Sequence, residues 1–226
     1  MGTGIRSALD QGLAEIEEDL LRMGDLIDRA LERSMTSLAT RDQVLAQQVI
    51  EEDERVNAYR YKIEESCLAL IATQQPTASD LRTIIAIMNV VVDMERIADY
   101  ATAVAKTVIR MGDEPLLKPL IDLPKMVELA REMLRDSLQA LLNHDVEWAK
   151  EIATRDDEMD RLYQAIFDEL VEIMAEQPGS ATRATYLLWC AHNVERVGDR
   201  VTNIAERTVF VTTGDVEELN IKEDWN

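Results

Sequence analysis

Four pairs of oxygen-bearing side chains stand four residues apart in this sequence: Asp53 with Asn57, Glu95 with Asp99, Asp156 with Asp160, and Glu195 with Asp199. On a helix, residues four apart share a face with Cβ atoms about 5–6 Å from one another, so each pair sets its oxygens side by side. Neighbouring carboxylates repel, and three things relieve the repulsion: a bound cation, an arginine, or exposure to water. Carboxylate and amide oxygens suit magnesium, calcium, manganese or iron, and with fewer ligands zinc. Arg96 and Arg196, each beside the first acid of its pair, are candidates for the second explanation. With 44 acidic residues in the chain, ordinary solvated helix faces are the third.

Two of the pairs lie in a stretch that occurs twice. Met94–Ala105 and Val194–Ala205 share Glu, Arg, Asp, Thr and Ala in register, and Gly198 answers Ala98. A shift of 103 residues lays Ser34, Leu38, Asp42, Ala46, Val49, Asp53 and Ile63 over Ser137, Leu141, Asp145, Ala149, Ile152, Asp156 and Ile166. Beyond the second hinge the shift becomes 100, which brings Glu95 onto Glu195. The chain is therefore a tandem duplication.

The elements that must position these residues are helices. No run alternates polar and apolar long enough for a strand. The prolines mark helix ends: Pro76 and Pro178 in short hinges, and Pro115, Pro119 and Pro124 between Met111 and Pro124. Helical spacing predicts six helices at about 4–39, 43–74, 79–111, 122–142, 146–176 and 181–212. Asp42, Asp145, Ser79 and Ser180 suit their N-caps. The fold class is all-α, an antiparallel three-helix bundle repeated: first repeat 1–112, proline-rich connector 113–123, second repeat 124–213, and an acidic, loosely held tail 214–226. Position 55 lies 21 residues before Pro76 and position 97 lies 21 after it; in the second half, 158 and 197 lie 20 before and 19 after Pro178. Residues equally far from an antiparallel turn share a height, so the two oxygen pairs of each repeat should meet, about 30 Å from the hinge.

A chain of 226 residues with 46% apolar and 30% charged residues describes a globular protein with a real core. Its formal charge of −20 excludes nucleic acid as a partner and opposes direct adsorption on anionic lipid. Cys67 and Cys190 sit in apolar helical runs as reduced core residues, without a CxxC to suggest thiolate zinc. With no signal peptide or long apolar run, a cytoplasmic location is expected.

The segments Asp53–Asn57, Gln75-Pro76 with Asp80-Leu81-Arg82, Asp93–Ala101 and Asn193–Glu206 resemble the PhoU family, the bacterial phosphate-transport accessory and regulatory proteins. The resemblance spans both repeats. It implies two similar three-helix bundles, E/D-xxx-D motifs that hold multinuclear iron or zinc in some members, and negative regulation of the phosphate-starvation response. It further implies an adaptor between the ATPase subunit of a phosphate ABC transporter and a sensor histidine kinase, reaching the membrane only through these partners; a homodimer is expected. Carried over by motif, Glu95, Asp99, Glu195, Asp199, Asp156 and Asp160 are candidate metal ligands, with Asp53 and Asn57 as partners. Magnesium and manganese rank behind iron and zinc. Asn57 replaces an acid of the motif, and Arg200 stands where many members carry His. Contributions from Asp25, Glu128, His192 and Asn203 stay open.

The rival readings are a ferritin-like metalloenzyme or iron-handling bundle, and a helical scaffold without metal. The ferritin-like site wants Glu-x-x-His on two helices, and only His144 and His192 exist. No nucleophile–base set or glycine-rich phosphate loop appears, so a non-enzyme without a specific site for free phosphate is expected.

Overall fold

The computed structural model describes residues 2–219, with side-chain surroundings from residue 8 onward. Seven α-helices follow in order: α1 (Gly2–Thr40), α2 (Gln43–Gln74), α3 (Ala78–Met111), α4 (Asp122–Asn143), α5 (Val146–Thr154), α6 (Asp156–Glu176) and α7 (Ala181–Thr213). A 3-10 turn, Pro178–Ser180, leads into α7, and the described residues contain no strand. The expected fifth helix is thus divided. Arg155 keeps helical dihedrals (φ −69°, ψ −16°), but its amide bonds the Ile152 carbonyl at 3.0 Å and Glu158 N bonds its own carbonyl at 3.0 Å. These i→i−3 bonds tighten one turn immediately before Asp156. In the first repeat α2 runs unbroken through the equivalent Asp53.

Helical spacing decides burial as expected. Ile16, Leu20, Met23, Ile27, Leu31 and Leu38 of α1 are buried, and the core they join runs continuously through both repeats. Burying each such side chain contributes about 1.5–3 kcal/mol. Asp42 and Asp145 cap α2 and α5, accepting from Leu45 N at 2.9 Å and Trp148 N at 3.0 Å. The serine caps do not form. Thr77 begins α3 without a side-chain bond, and Ser79 lies inside the helix. Ser180 precedes α7 in αR geometry, and its hydroxyl turns back to the Ile173 carbonyl at 3.4 Å. The tail is also better held than expected over its first residues. Leu219 N donates to Glu206 at 3.1 Å, Lys150 pairs with Glu217 at 3.2 Å, and Leu219 packs on the core. Residues 220–226 lie outside the described residues.

In each repeat three helical rods pack together: α1, α2 and α3 in the first, and α4, α5–α6 and α7 in the second. The repeats join helix to equivalent helix, α1 on α4 and α3 on α7. At the first junction Arg131 Nε and Nη2 donate to Asp28 Oδ1 and Oδ2 at 3.0 and 2.9 Å, residues 103 apart and hence equivalent to each other. Equivalent residues that meet lie at an approximate two-fold axis.

Both cysteines are buried and reduced. Burial pushes each thiol up to about 12. Since the thiolate is the nucleophile, neither should react with a disulfide reagent at pH 8 in the native protein, and both should react after denaturation. Fast labelling of either native thiol would contradict this packing.

Candidate functional site

Where α2 meets α3, the matched heights are realised. Thr102 donates to Asp53 Oδ1 at 3.3 Å, and Asn57 Nδ2 donates to Asp53 Oδ2 at 3.3 Å. One turn along, Arg60 Nη1 lies 3.3 Å from Glu95 Oε1 while its Nε bonds Glu64 at 3.0 Å. Arg96 sits on the outer side, 3.0 Å from Asp99 and 3.6 Å from Glu95. The first seam is thus compensated by two guanidinium groups, Arg60 and Arg96. Arg60 and Thr102 are members that sequence reasoning missed. Thr102 belongs to the repeated motif, and Arg60 follows Asn57 by three residues on the same helix face.

Burial, reinforced by the Asp99 charge, pushes the Asp53 carboxyl up, and bonds from Thr102 and Asn57 pull it partly back. The fold therefore disfavours ionised Asp53 at neutral pH, a loss relieved as pH falls through the raised folded-state value toward the ordinary one. Asp53→Asn should accordingly hold or raise the thermal midpoint at pH 7, with the advantage shrinking in acid. A clear drop at pH 7 would contradict this balance.

The second seam, between α6 and α7, is built differently. Asp156 is only 1% exposed and packs against Gly198, where a Cβ would collide with its Oδ1. At this close approach the second repeat carries Gly198 where the first has Ala98. Position 163, equivalent to Arg60, holds Tyr163, and Phe167 replaces Glu64. Tyr163 stacks near Phe167 and His192, with centroids at 6.5 and 6.1 Å. His192 Nδ1 lies 3.5 Å from Glu195 Oε2. Burial, then the Glu195 charge, pushes the Tyr163 phenol up. Asp160 and Asp199 are half-buried.

Between the seams, α3 and α7 are tied by residues of the same motifs. Arg196 Nε donates to Tyr100 Oη at 3.0 Å with its guanidinium over the ring. Arg200 lies 3.3 Å from Asp93, and Asn203 donates to the same carboxylate at 3.1 Å. These contacts place Arg196, Arg200 and Asn203 at the inter-repeat junction. Glu128 lies elsewhere, bonded to Arg131 at 2.8 Å and Arg135 at 3.3 Å on α4, and Asp25 is exposed on α1.

The donor chemistry of both seams is oxygen, which suits a hard cation. Among the described residues no three His, Cys, Asp or Glu side chains gather as a metal would require. At the first seam a cation would have to displace Arg60 and Arg96. At the second, the space Gly198 leaves seats the Asp156 carboxylate. A cavity of about 160 Å³ opens beside the first seam, lined by Asp53 and Thr102 with Arg29, Arg33, Glu52 and Arg55; another, of about 410 Å³ between α1 and α2, is lined by Gly12, Asp19, Arg22, Lys62 and Leu70, with Lys62 on Asp19 at 2.7 Å.

Comparison with known proteins agrees with this architecture. A family model described as the PhoU domain matches residues 20–108 and again 123–208, one match per repeat. The chain is 34% identical over 216 residues to a phosphate-specific transport system accessory protein PhoU homolog of Clostridium acetobutylicum, covering 95% of this chain and 99% of that protein. It is 36% identical over 214 residues to the Pseudomonas putida homolog of the same name, covering 93% of this chain and 83% of that one. Crystal structures of PhoU from Streptococcus pneumoniae and Pseudomonas aeruginosa each superpose with a TM-score of 0.86 at 32% identity, covering 92% and 91% of this chain and 99% of each of theirs. Two domain matches in tandem, full-length relatives and a shared duplicated bundle make this chain a member of the PhoU family.

Proposed function

We propose that this chain is a non-enzymatic accessory protein of a phosphate-specific transport system, which represses the phosphate-starvation response as an adaptor between the ABC transporter's ATPase subunit and a sensor histidine kinase. The observation that carries this reading is similarity along nearly the whole chain to relatives named as accessory proteins of that system. The charge of −20 suits docking on a partner's basic surface. No helix among the described residues is long and apolar enough to cross a membrane, so contact with a transporter runs through that transporter's own surfaces. Deleting the gene tests the reading. Phosphate uptake and a starvation-response reporter should become active in phosphate-rich medium, and a silent reporter in the deletion strain overturns repression.

Within this reading the acidic seams bind a divalent or trivalent cation, iron or zinc ahead of magnesium or manganese. The second seam binds more tightly, because the first is compensated by Arg60 and Arg96 and carries Asn57 in place of an acid. A cation that binds only the folded state, at about 100 times its dissociation constant, stabilises by about 2.7 kcal/mol. Thermal unfolding with and without each metal should show a higher midpoint, and Asp199→Asn should remove more of the shift than Asp99→Asn. If no metal moves wild type or either variant, the seams are structural. The ferritin-like alternative is not favoured: His144 forms the C-cap of α4 at φ 54°, and His192 leans on Tyr163 and Glu195.

A further inference from the structure

Between the second acidic seam and its hinge, α6 and α7 carry aromatic rings on their outer surface. The rings of Tyr163 and Phe167 on α6 have centroids 6.5 Å apart, and Tyr163 reaches His192 of α7 at 6.1 Å. Nearer the hinge Tyr186 meets Trp189 edge to face at 5.7 Å. Phe167 and Trp189 each lie 11 residues from Pro178, so they share a height across the α6–α7 pair. Phe167, Val171 and Trp189 are 39%, 43% and 46% exposed. Apolar surface left in water contributes nothing to the fold, and a contiguous patch of it marks a contact surface.

The duplicated bundle does not require these rings. Under the repeat shifts Tyr163, Phe167, Tyr186 and Trp189 are answered by Arg60, Glu64, Ala86 and Asn89. The whole chain has five tyrosines, two phenylalanines and three tryptophans, and this one face holds two, one and one of them. Such enrichment in Tyr, Phe and Trp is the compositional mark of a protein–protein interface.

We propose that this groove receives a basic amphipathic helix of a partner protein, its apolar stripe on Phe167 and Trp189 and its lysines or arginines toward the surrounding acids. The inference rests on the accessory reading above and names the face through which the docking occurs. Charge selects the occupant. Asp157, Asp160 and Asp168 follow the outer side of α6 at helical spacing, and Glu195 lies beside His192 at the seam end of the stripe. Arg196 and Arg200 of α7 turn away to Tyr100 and Asp93 of α3. A second copy of the chain would bring the same acids and another charge of −20 against this face. A helix with apolar residues on one side and basic residues beside them meets both features at once.

The probes are the purified ATPase subunit and the cytoplasmic part of the sensor kinase, each titrated against the immobilised full chain by surface plasmon resonance. Wild type should bind at least one of them, with association slowed by high salt. Phe167→Ser with Trp189→Ser should weaken that binding about thirtyfold or more, the loss of a central aromatic anchor. Asp157→Lys with Asp168→Lys should slow association and flatten its salt dependence. Leu68→Ser with Ile85→Ser removes apolar side chains 56% and 40% exposed on the first repeat and should leave binding unchanged. Circular dichroism checks each variant, and Trp189→Gln alone, expected to weaken binding about tenfold, serves should the double substitution disturb the helices. If wild type binds and the Phe167 and Trp189 variant binds equally well, the assignment of this face is overturned while the accessory reading stands. If wild type binds neither probe, both fall. Equal loss in the Leu68 and Ile85 variant, or binding indifferent to salt, overturns the proposal. So does a change in the mass of the isolated chain when the rings are removed, which would assign the face to a second copy.

Discussion

Gly198→Val should lower the thermal midpoint by about 2–12 °C, from roughly 1–3 kcal/mol of overpacking spread over a protein of this size. The new side chain enters the space of the Asp156 carboxylate, with Met159 Cγ 3.4 Å from the Cβ position. Asp156 is buried in a tightened turn, so it cannot swing into water without disturbing the α5–α6 junction. The two residues should therefore be coupled: adding Asp156→Ala recovers part of what Gly198→Val loses. At the equivalent site Ala98→Gly should cost only about 0.5–1 kcal/mol, the ordinary price of glycine within a helix. Additive losses from Gly198→Val and Asp156→Ala would contradict the close approach.

Arg131→Met should destabilise the chain by about 2–3 kcal/mol, because it leaves the Asp28 carboxylate partly buried with a single guanidinium, Arg135, at 3.7 Å. The side chains of Arg131 and Asp28 are 14% and 17% exposed, between a surface pair and a buried one. Replacing both, as Arg131→Met with Asp28→Leu, should recover most of the loss, since the damage comes from the stranded charge rather than from the missing attraction. Chemical denaturation of the single and double variants gives the comparison. A double variant as unstable as Arg131→Met would show that the pair itself holds α1 to α4.

Much of this architecture was legible in the sequence because it rests on period and repetition. Apolar spacing placed the helices, Asp42 and Asp145 announced their own caps, and the duplication gave two like three-helix units. Counting from Pro76 and Pro178 brought Asp53 to the height of Asp99 and Asp156 to that of Asp199. What sequence could not give was the partner of each acid. Arg60 and Tyr163 occupy equivalent positions, so the repeat predicts the same role, yet one is a cation beside Glu95 and the other an aromatic ring in the Glu195 environment. Thr102 and Thr202 likewise share a register, but Thr102 bonds Asp53 while Thr202 bonds its own helix at the Gly198 carbonyl, 3.2 Å away. Arg196, beside Glu195 in sequence, crosses instead to Tyr100. The split at Arg155 was equally hidden, since no proline or glycine marks it. It reflects tertiary packing around buried Asp156, which local propensity does not encode.

A direct binding measurement tests the proposed adaptor role most simply. The purified full chain, immobilised, is exposed to the purified ATPase subunit of the cell's phosphate transporter and to the cytoplasmic part of its sensor kinase. The account predicts saturable binding to both, with a complex of all three when they are mixed. Saturable binding to neither, under conditions where the ATPase and kinase are themselves active, would contradict it.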